Sequence, residues 1–234
     1  ASATAASPAI TGSFSADSTP PDLSSLTTAD TDGDGYIDRL VATFTEAVDE
    51  STLAAGNFST DIGTVTTVVD DGVPSDAVIW VNLTDGVLAT DALPQLSITA
   101  GGISDLAANP NALISNFASS DGAGPAIWSA VASDETNIVV SIDNDDTLTV
   151  TFSEPTNQPA LSAANLDTVL ALSGGHSWLD GAGGITSAVW SSASVLVVTL
   201  RDTTSEPTVA VLSPIGASTG GALPTSPWSE AAWM

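Results

Sequence analysis

Short alternating runs of apolar and polar residues recur along this chain between clusters of Gly, Pro, Asp and Ser, and a helical period of 3.6 is almost absent. From Arg39 the residues Leu40, Ala42 and Phe44 fall on one face and Val41, Thr43 and Thr45 on the other, the pattern of a strand with one buried side. Similar runs predict strands from Thr64 to Val69, Ala77 to Leu83 and Gln95 to Thr99. The segment Ser51 to Asn57 reads as one helical turn capped by Ser51. The fold expected is all-β.

The order of these elements returns later in the chain. Phe44-Thr45-Glu46 recurs as Phe152-Ser153-Glu154, and Leu53-Ala54-Ala55-Gly56-Asn57 as Leu161-Ser162-Ala163-Ala164-Asn165, both 108 positions on. Leu83-Thr84-Asp85 then matches Leu200-Arg201-Asp202, and Pro94 to Ile98 matches Pro207 to Val211. A repeat of about 100 residues with about seven short strands has the size of an Ig-like sandwich. The expectation is two tandem Ig-like β-sandwich domains, residues 18–118 and 119–222, preceded by an N-terminal segment 1–17 and followed by a tail 223–234. Ser119 to Pro125 reads as a short, stiff linker.

One stretch carries chemistry. Asp30-Thr31-Asp32-Gly33-Asp34-Gly35-Tyr36-Ile37-Asp38 places carboxylates at loop positions 1, 3, 5 and 9, with Gly35 at 6 and Tyr36 at 7. A hard divalent ion takes about six to eight oxygens, and alternate carboxylates converge on one point where glycine allows the sharp turn. Calcium is the cofactor this predicts, with Asp30, Asp32 and Asp34 binding through side chains, Tyr36 through its carbonyl, and Asp38 directly or through water. The loop departs from an EF-hand, because position 12 is Val41 and a strand pattern follows. Its spacing resembles the calcium repeats of thrombospondin type 3 and of many microbial surface proteins. An acidic turn with no ion is the bland alternative, and repulsion among four close carboxylates weighs against it. In the second repeat Asp143-Asn144-Asp145-Asp146 is a degenerate acidic turn, which makes Asp143 and Asp145 a second, weaker candidate.

Further residues carry a family resemblance over most of the chain. Pro20-Pro21, Phe44-Thr45-Glu46-Ala47-Val48-Asp49, Asn57-Phe58 and Gly102-Ile103-Ser104-Asp105-Leu106-Ala107-Ala108-Asn109 together resemble the bacterial Ig-like domains of S-layer and other prokaryotic surface proteins. The second copy keeps Phe152-Ser153-Glu154-Pro155 and Asn165 but lacks the Asp-Leu-Ala-Ala-Asn signature. The resemblance implies an extracellular, cell-surface or secreted structural protein.

Composition narrows the partners. There are 28 acidic residues against Arg39 and Arg201, a net charge of −26. Nucleic acid and anionic membrane surfaces, which need clustered Lys or Arg, are poor partners, so no nucleic acid is expected, and cations are favoured. The self-repulsion points to relief by calcium or by salt, as in a halophilic or marine protein. With 43% hydrophobic and only 13% charged residues, the chain has the apolar surface to fold. Cysteine is absent, and so is any run of about 18 apolar residues, so no transmembrane segment is expected.

No catalytic constellation emerges, and the chain is read as a non-enzyme. His176 is the only histidine and has no nucleophile motif around it. Glu46 and Glu154 occupy equivalent repeat positions, as strand-end or supplementary calcium-binding residues would. Trp80, Trp128 and Trp190 lie in apolar strand runs and read as core, whereas Trp178, in a Gly-rich loop, is the candidate for stacking on a sugar. Asn57 and Asn82 head glycosylation sequons. The segment Ala107 to Phe117 should close the first domain, and its counterpart, carrying Ala9, Ile10 and Phe14, precedes that domain as a spare strand suited to donation to a neighbouring copy. The function expected is a calcium-stiffened subunit of a surface layer, coat or filament, with copies of itself, calcium and glycans as partners. An adhesin or carbohydrate-binding module, or a spacer of a larger secreted enzyme, is the alternative.

Overall fold

The computed structural model describes residues 15–133, 145–172, 177–178, 184–201 and 215–217. The expectations placed on Ala9, Ile10, Phe14, Asp143 and His176 lie outside these residues.

The alternating runs form strands close to where the pattern puts them. The first part of the chain contributes β1 (Leu23–Ala29), β2 (Arg39–Phe44), β3 (Phe58–Thr60), β4 (Val65–Asp70), β5 (Val78–Leu83), β6 (Gln95–Ile98) and β7 (Ile114–Ala118). They make an antiparallel sheet of order β1-β2-β5-β4 and a second of order β3-β6-β7. Period-two alternation sends Leu40, Ala42 and Phe44 of β2 and Ile79, Val81 and Leu83 of β5 inward, where they meet Leu96 and Ile98 of β6 in one buried cluster. At about 25 cal/mol per Å² of apolar surface, each fully buried Leu or Ile contributes roughly 1.5–3 kcal/mol.

The second part has β8 (Ile127–Ser133), β9 (Thr147–Phe152), one helical turn α1 (Leu166–Val169), β10 (Leu170–Leu172), β11 (Ile185–Ser192), β12 (Val195–Leu200) and β13 (Ile215–Ala217). Its four-stranded sheet runs β8-β9-β12-β11, the same order by position as β1-β2-β5-β4, and β10 pairs with β13. The likeness extends to irregularities: the register breaks between Leu23 and Ser25 in β1 and between Ile127 and Ser129 in β8, each beside a phenylalanine, Phe44 and Phe152. A second buried cluster gathers Val150, Phe152, Leu166, Leu170, Leu196 and Val198. The fold is all-β and sandwich-like, and among the described residues no helix is long and apolar enough to cross a membrane.

Three local expectations change. The turn at Ser51–Asn57 is two 3-10 turns, Glu50–Thr52 and Ala55–Asn57, and Asp49, two residues before Ser51, caps the first by accepting from the Ser51 N–H at 3.0 Å. Trp178 is not a loop platform. It is 8% exposed within the second cluster, and its indole N–H donates to the Leu170 carbonyl, which removes the ring from any sugar. Trp128 is the reverse case: it sits in an apolar run yet is 37% exposed, outside the second buried cluster, with its ring against Tyr36.

The linker is strapped to β1 by hydrogen bonds. The Thr28 N–H donates to the Ser120 carbonyl at 3.0 Å, the Ser120 N–H to the Leu26 carbonyl at 2.8 Å, and the Gly122 N–H to the buried Thr28 hydroxyl at 3.0 Å. A Cβ on Gly122 would lie 2.2 Å from Thr27 Cγ2, so only glycine allows this approach.

Candidate metal centre

The loop between β1 and β2 folds around its first aspartate. Asp30 Oδ1 accepts from the Gly33 N–H at 2.7 Å and Oδ2 from the Gly35 N–H at 2.8 Å. Both glycines take left-handed φ, 77° at Gly33 and 95° at Gly35, which a side chain disfavours. Asp34 accepts from the Tyr36 N–H at 2.9 Å, closing the next turn. The result brings one carboxylate oxygen each from Asp30, Asp32 and Asp34 within 4.8 Å of one another.

Such a cluster is electrostatically uncomfortable. Burial, with the charges of Asp32 and Asp38 adding to it, raises the Asp30 carboxyl above its ordinary range despite two N–H bonds. Burial also raises Asp34, with Asp85, Asp32 and Asp30 contributing. A divalent cation reverses both effects by supplying the missing opposite charge. Hard oxygens at this spacing fit calcium better than a transition metal, which prefers nitrogen or sulfur.

The other two predicted ligands lie beside the triad. Asp38 turns its carboxylate to Thr31, accepting from both its N–H, at 3.2 Å, and its hydroxyl. Tyr36 forms a backbone bridge with Ala89, and its ring packs on Trp128. Asp145, the described member of the weaker candidate pair, is exposed with φ of 75° and is absent from the carboxylate clusters found among the described residues.

Two further acidic clusters are present among the described residues, and of their members only Glu46 was read from the sequence, as a strand-end or supplementary calcium-binding residue. Asp17, Glu46 and Asp105 meet in an open cleft beside Ala47 and Leu106. Asp105 is 2% exposed and organises the Asp-Leu-Ala-Ala-Asn turn, accepting from the N–H groups of Ala107 and Asn109 and from the Asn109 amide. Burial works against its charge, but these bonds outweigh it and hold the carboxyl low. Glu46 is raised by burial and by the Asp17 and Asp105 charges. The sequence signals for this cluster were the repeat position of Glu46 and the place of Asp105 in the motif from Gly102 to Asn109. Asp70, Asp71 and Asp76 cluster at the β4–β5 connection, where Asp71 and Asp76 accept from the Val73 and Val78 N–H groups.

The aspartate loop also forms a junction between the two parts of the chain. Tyr36 and Trp128 have ring centroids 5.5 Å apart, and a Cβ on Gly35 would lie 2.2 Å from Trp128 Nε1. Nearby, the buried Thr90 and Ser153 hydroxyls hydrogen-bond at 2.7 Å, and Ser153 accepts from the Ala126 N–H at 2.9 Å.

Both sequon amides are donors within the fold. Asn57 donates to the Gly102 carbonyl at 2.9 Å and Asn82 to the Thr67 hydroxyl at 2.9 Å, while the Asn82 amide oxygen accepts from Arg39, whose guanidinium lies 4.0 Å over Trp80.

Comparison with family models, curated proteins and solved structures finds no match.

Proposed function

We propose that this chain is a structural extracellular protein: two tandem Ig-like β-sandwiches, stiffened by calcium, that serve as the subunit of a surface layer, coat or filament. The observation that carries the reading is the convergence of Asp30, Asp32 and Asp34 in a loop that also packs against Trp128. An ion there neutralises the loop and rigidifies the contact between the two sandwiches at once. The repeated sheet order supports a modular array, and the net charge of −26 supports cation-dependent association, since like-charged subunits pack only when screened or bridged. Self-association through copies of this chain follows as part of the proposal.

The carbohydrate-binding alternative loses its chosen residue, because Trp178 is packed inside the second cluster. Adding millimolar calcium to the purified protein and imaging it tests the proposal. Ordered polymers that dissolve on chelation are expected. A monodisperse protein across calcium and salt would overturn the assembly role.

A further inference from the structure

The outer face of the sheet β1-β2-β5-β4 is neutral ground on an acidic chain. Across its four strands Thr27, Val41, Trp80 and Val69 stand in one register row, on the side away from the buried cluster, and Val69 is 40% exposed. The sole carboxylate in these strands, Asp70, is paired with buried Ile79 and so belongs to the inner side. The next row outward carries Arg39, one of two cations against 28 acidic residues.

Arg39 is a cation without a carboxylate. Its Nε donates to the Asn82 amide oxygen at 3.0 Å, its guanidinium lies 4.0 Å over the Trp80 ring, and it makes no ion pair among the described residues. Stacking and the Asn82 bond fix the plane of the guanidinium, while the rest of its N–H fork has no acceptor there. A fork held in this way is preorganised for a carboxylate arriving from outside, whose two oxygens it can bond in parallel.

The matching acids border the same face. Strands β2 and β5 run antiparallel, so Arg39 stands at the end of the face where β5 finishes. Asp71, just after β4, and Asp76, just before β5, stand at the opposite end, and with Asp70 their carboxylate oxygens lie within 4.8 Å of one another. From Asn82, the ladder partner of Arg39, back to Asp76 is roughly 20 Å of extended chain. One end of the face is positive, the other negative, and the middle is uncharged.

We infer that this face binds the same face of a second copy of the chain, related by a two-fold axis that lies in the contact plane across the strands. Such an axis brings the Arg39 end of each copy to the Asp71 and Asp76 end of the other, so the charge pairing forms twice. It also lays the Trp80 and Val69 row of one copy beside that of its partner, and Trp and Arg are the side chains that most often dominate such contacts. Charge selects the occupant. Copies carrying −26 each repel over most of their surface, and here they meet without facing carboxylates and with an attractive pair at either end. The footprint is roughly 20 by 20 Å for four strands about 4.8 Å apart. That is below the area of a standard stable interface, so the dimer is weak and reversible.

This inference rests on the reading that copies of the chain associate, and it narrows that reading to a surface that needs no calcium. Sedimentation equilibrium of the full chain is run with EDTA at about 0.5 M sodium chloride, between the screening lengths of about 10 Å at 0.1 M and 3 Å at 1 M. The expected result is a monomer–dimer equilibrium over about 10 to 500 μM, the range suited to a small interface. Arg39→Asp, the double variant Asp71→Arg/Asp76→Arg, and Val69→Lys should each weaken dimerisation by about tenfold or more. Mixing Arg39→Asp with Asp71→Arg/Asp76→Arg should restore a one-to-one dimer, because both ends then pair opposite charges. Thermal melting is recorded for every variant. Val69→Lys, at an exposed position with no side-chain bond to lose, carries the test alone should the acidic double variant melt early. A monomer throughout, a dimer left intact by Val69→Lys and Arg39→Asp, or a mixture of folded variants that stays monomeric overturns the inference. Calcium-dependent polymers from a chain that is monomeric in EDTA would remove this dimer and leave the assembly role standing. A dimer in EDTA with no polymers in calcium would do the reverse.

Discussion

The indole of Trp128 and the phenol ring of Tyr36 lie 5.5 Å apart with planes tilted by 32°, joining the aspartate loop of one sheet system to the first strand of the other. Tilted aromatic pairs at this separation are worth about 0.5–1.5 kcal/mol beyond their buried area. Trp128→Ala should therefore leave calcium binding nearly intact while separating the melting of the two parts. Differential calorimetry with calcium should show one broadened transition resolving into two. Unchanged traces would show that the contact couples nothing.

Gly35 sits under the same indole, and its φ of 95° adds a second constraint. Gly35→Ala meets both backbone strain and the ring, with strain alone costing about 1–3 kcal/mol. Gly56→Ala, where a Cβ meets nothing within 4 Å, is the control and should be close to neutral. Denaturant midpoints for the two variants should differ in that order.

Asn111 is buried and serves as a knot in the first cluster. Its amide oxygen accepts from the Ile103 N–H at 3.0 Å, and its nitrogen donates to the Thr99 carbonyl at 3.0 Å and the Ala112 carbonyl at 2.6 Å. Removing the amide strands buried backbone groups at about 1–3 kcal/mol each. Asn111→Ala should lower the stability of the first part by at least about 2 kcal/mol, read by urea unfolding, and leave the second part untouched.

Salt should stabilise the whole chain. Repulsion among 28 acidic groups is screened over about 10 Å at 0.1 M ionic strength and about 3 Å at 1 M. The melting temperature should climb from 0.05 to 2 M sodium chloride even with calcium saturating. A flat profile would mean that the charges are already balanced locally.

Much of this architecture could be read from the chain because its signals are local. Alternation in β2 and β5 gave both their limits and their buried faces, and the recurrence of Phe44-Thr45-Glu46 matched a recurrence of sheet order. The aspartate triad was legible for the same reason, since Asp30, Asp32 and Asp34 lie within one turn of chain. Contacts between distant residues were not. Trp128 and Trp178 exchange the roles their flanking sequences suggest, because exposure depends on what packs from elsewhere: Tyr36 on one, the second cluster around the other. The buried bond between the Ser153 and Thr90 hydroxyls likewise joins residues that no window around Phe152 contains.

The central claim, calcium at Asp30, Asp32 and Asp34, is tested most directly by titrating the calcium-depleted protein in a calorimeter beside Asp32→Ala. The account predicts a saturable heat with a dissociation constant of about 10⁻⁴ to 10⁻³ M for the loop site, lost in the variant. At a hundredfold excess over that constant, binding should stabilise the fold by about 2.7 kcal/mol, seen as a higher melting temperature. No saturable heat, together with a melting temperature indifferent to chelator, would contradict it.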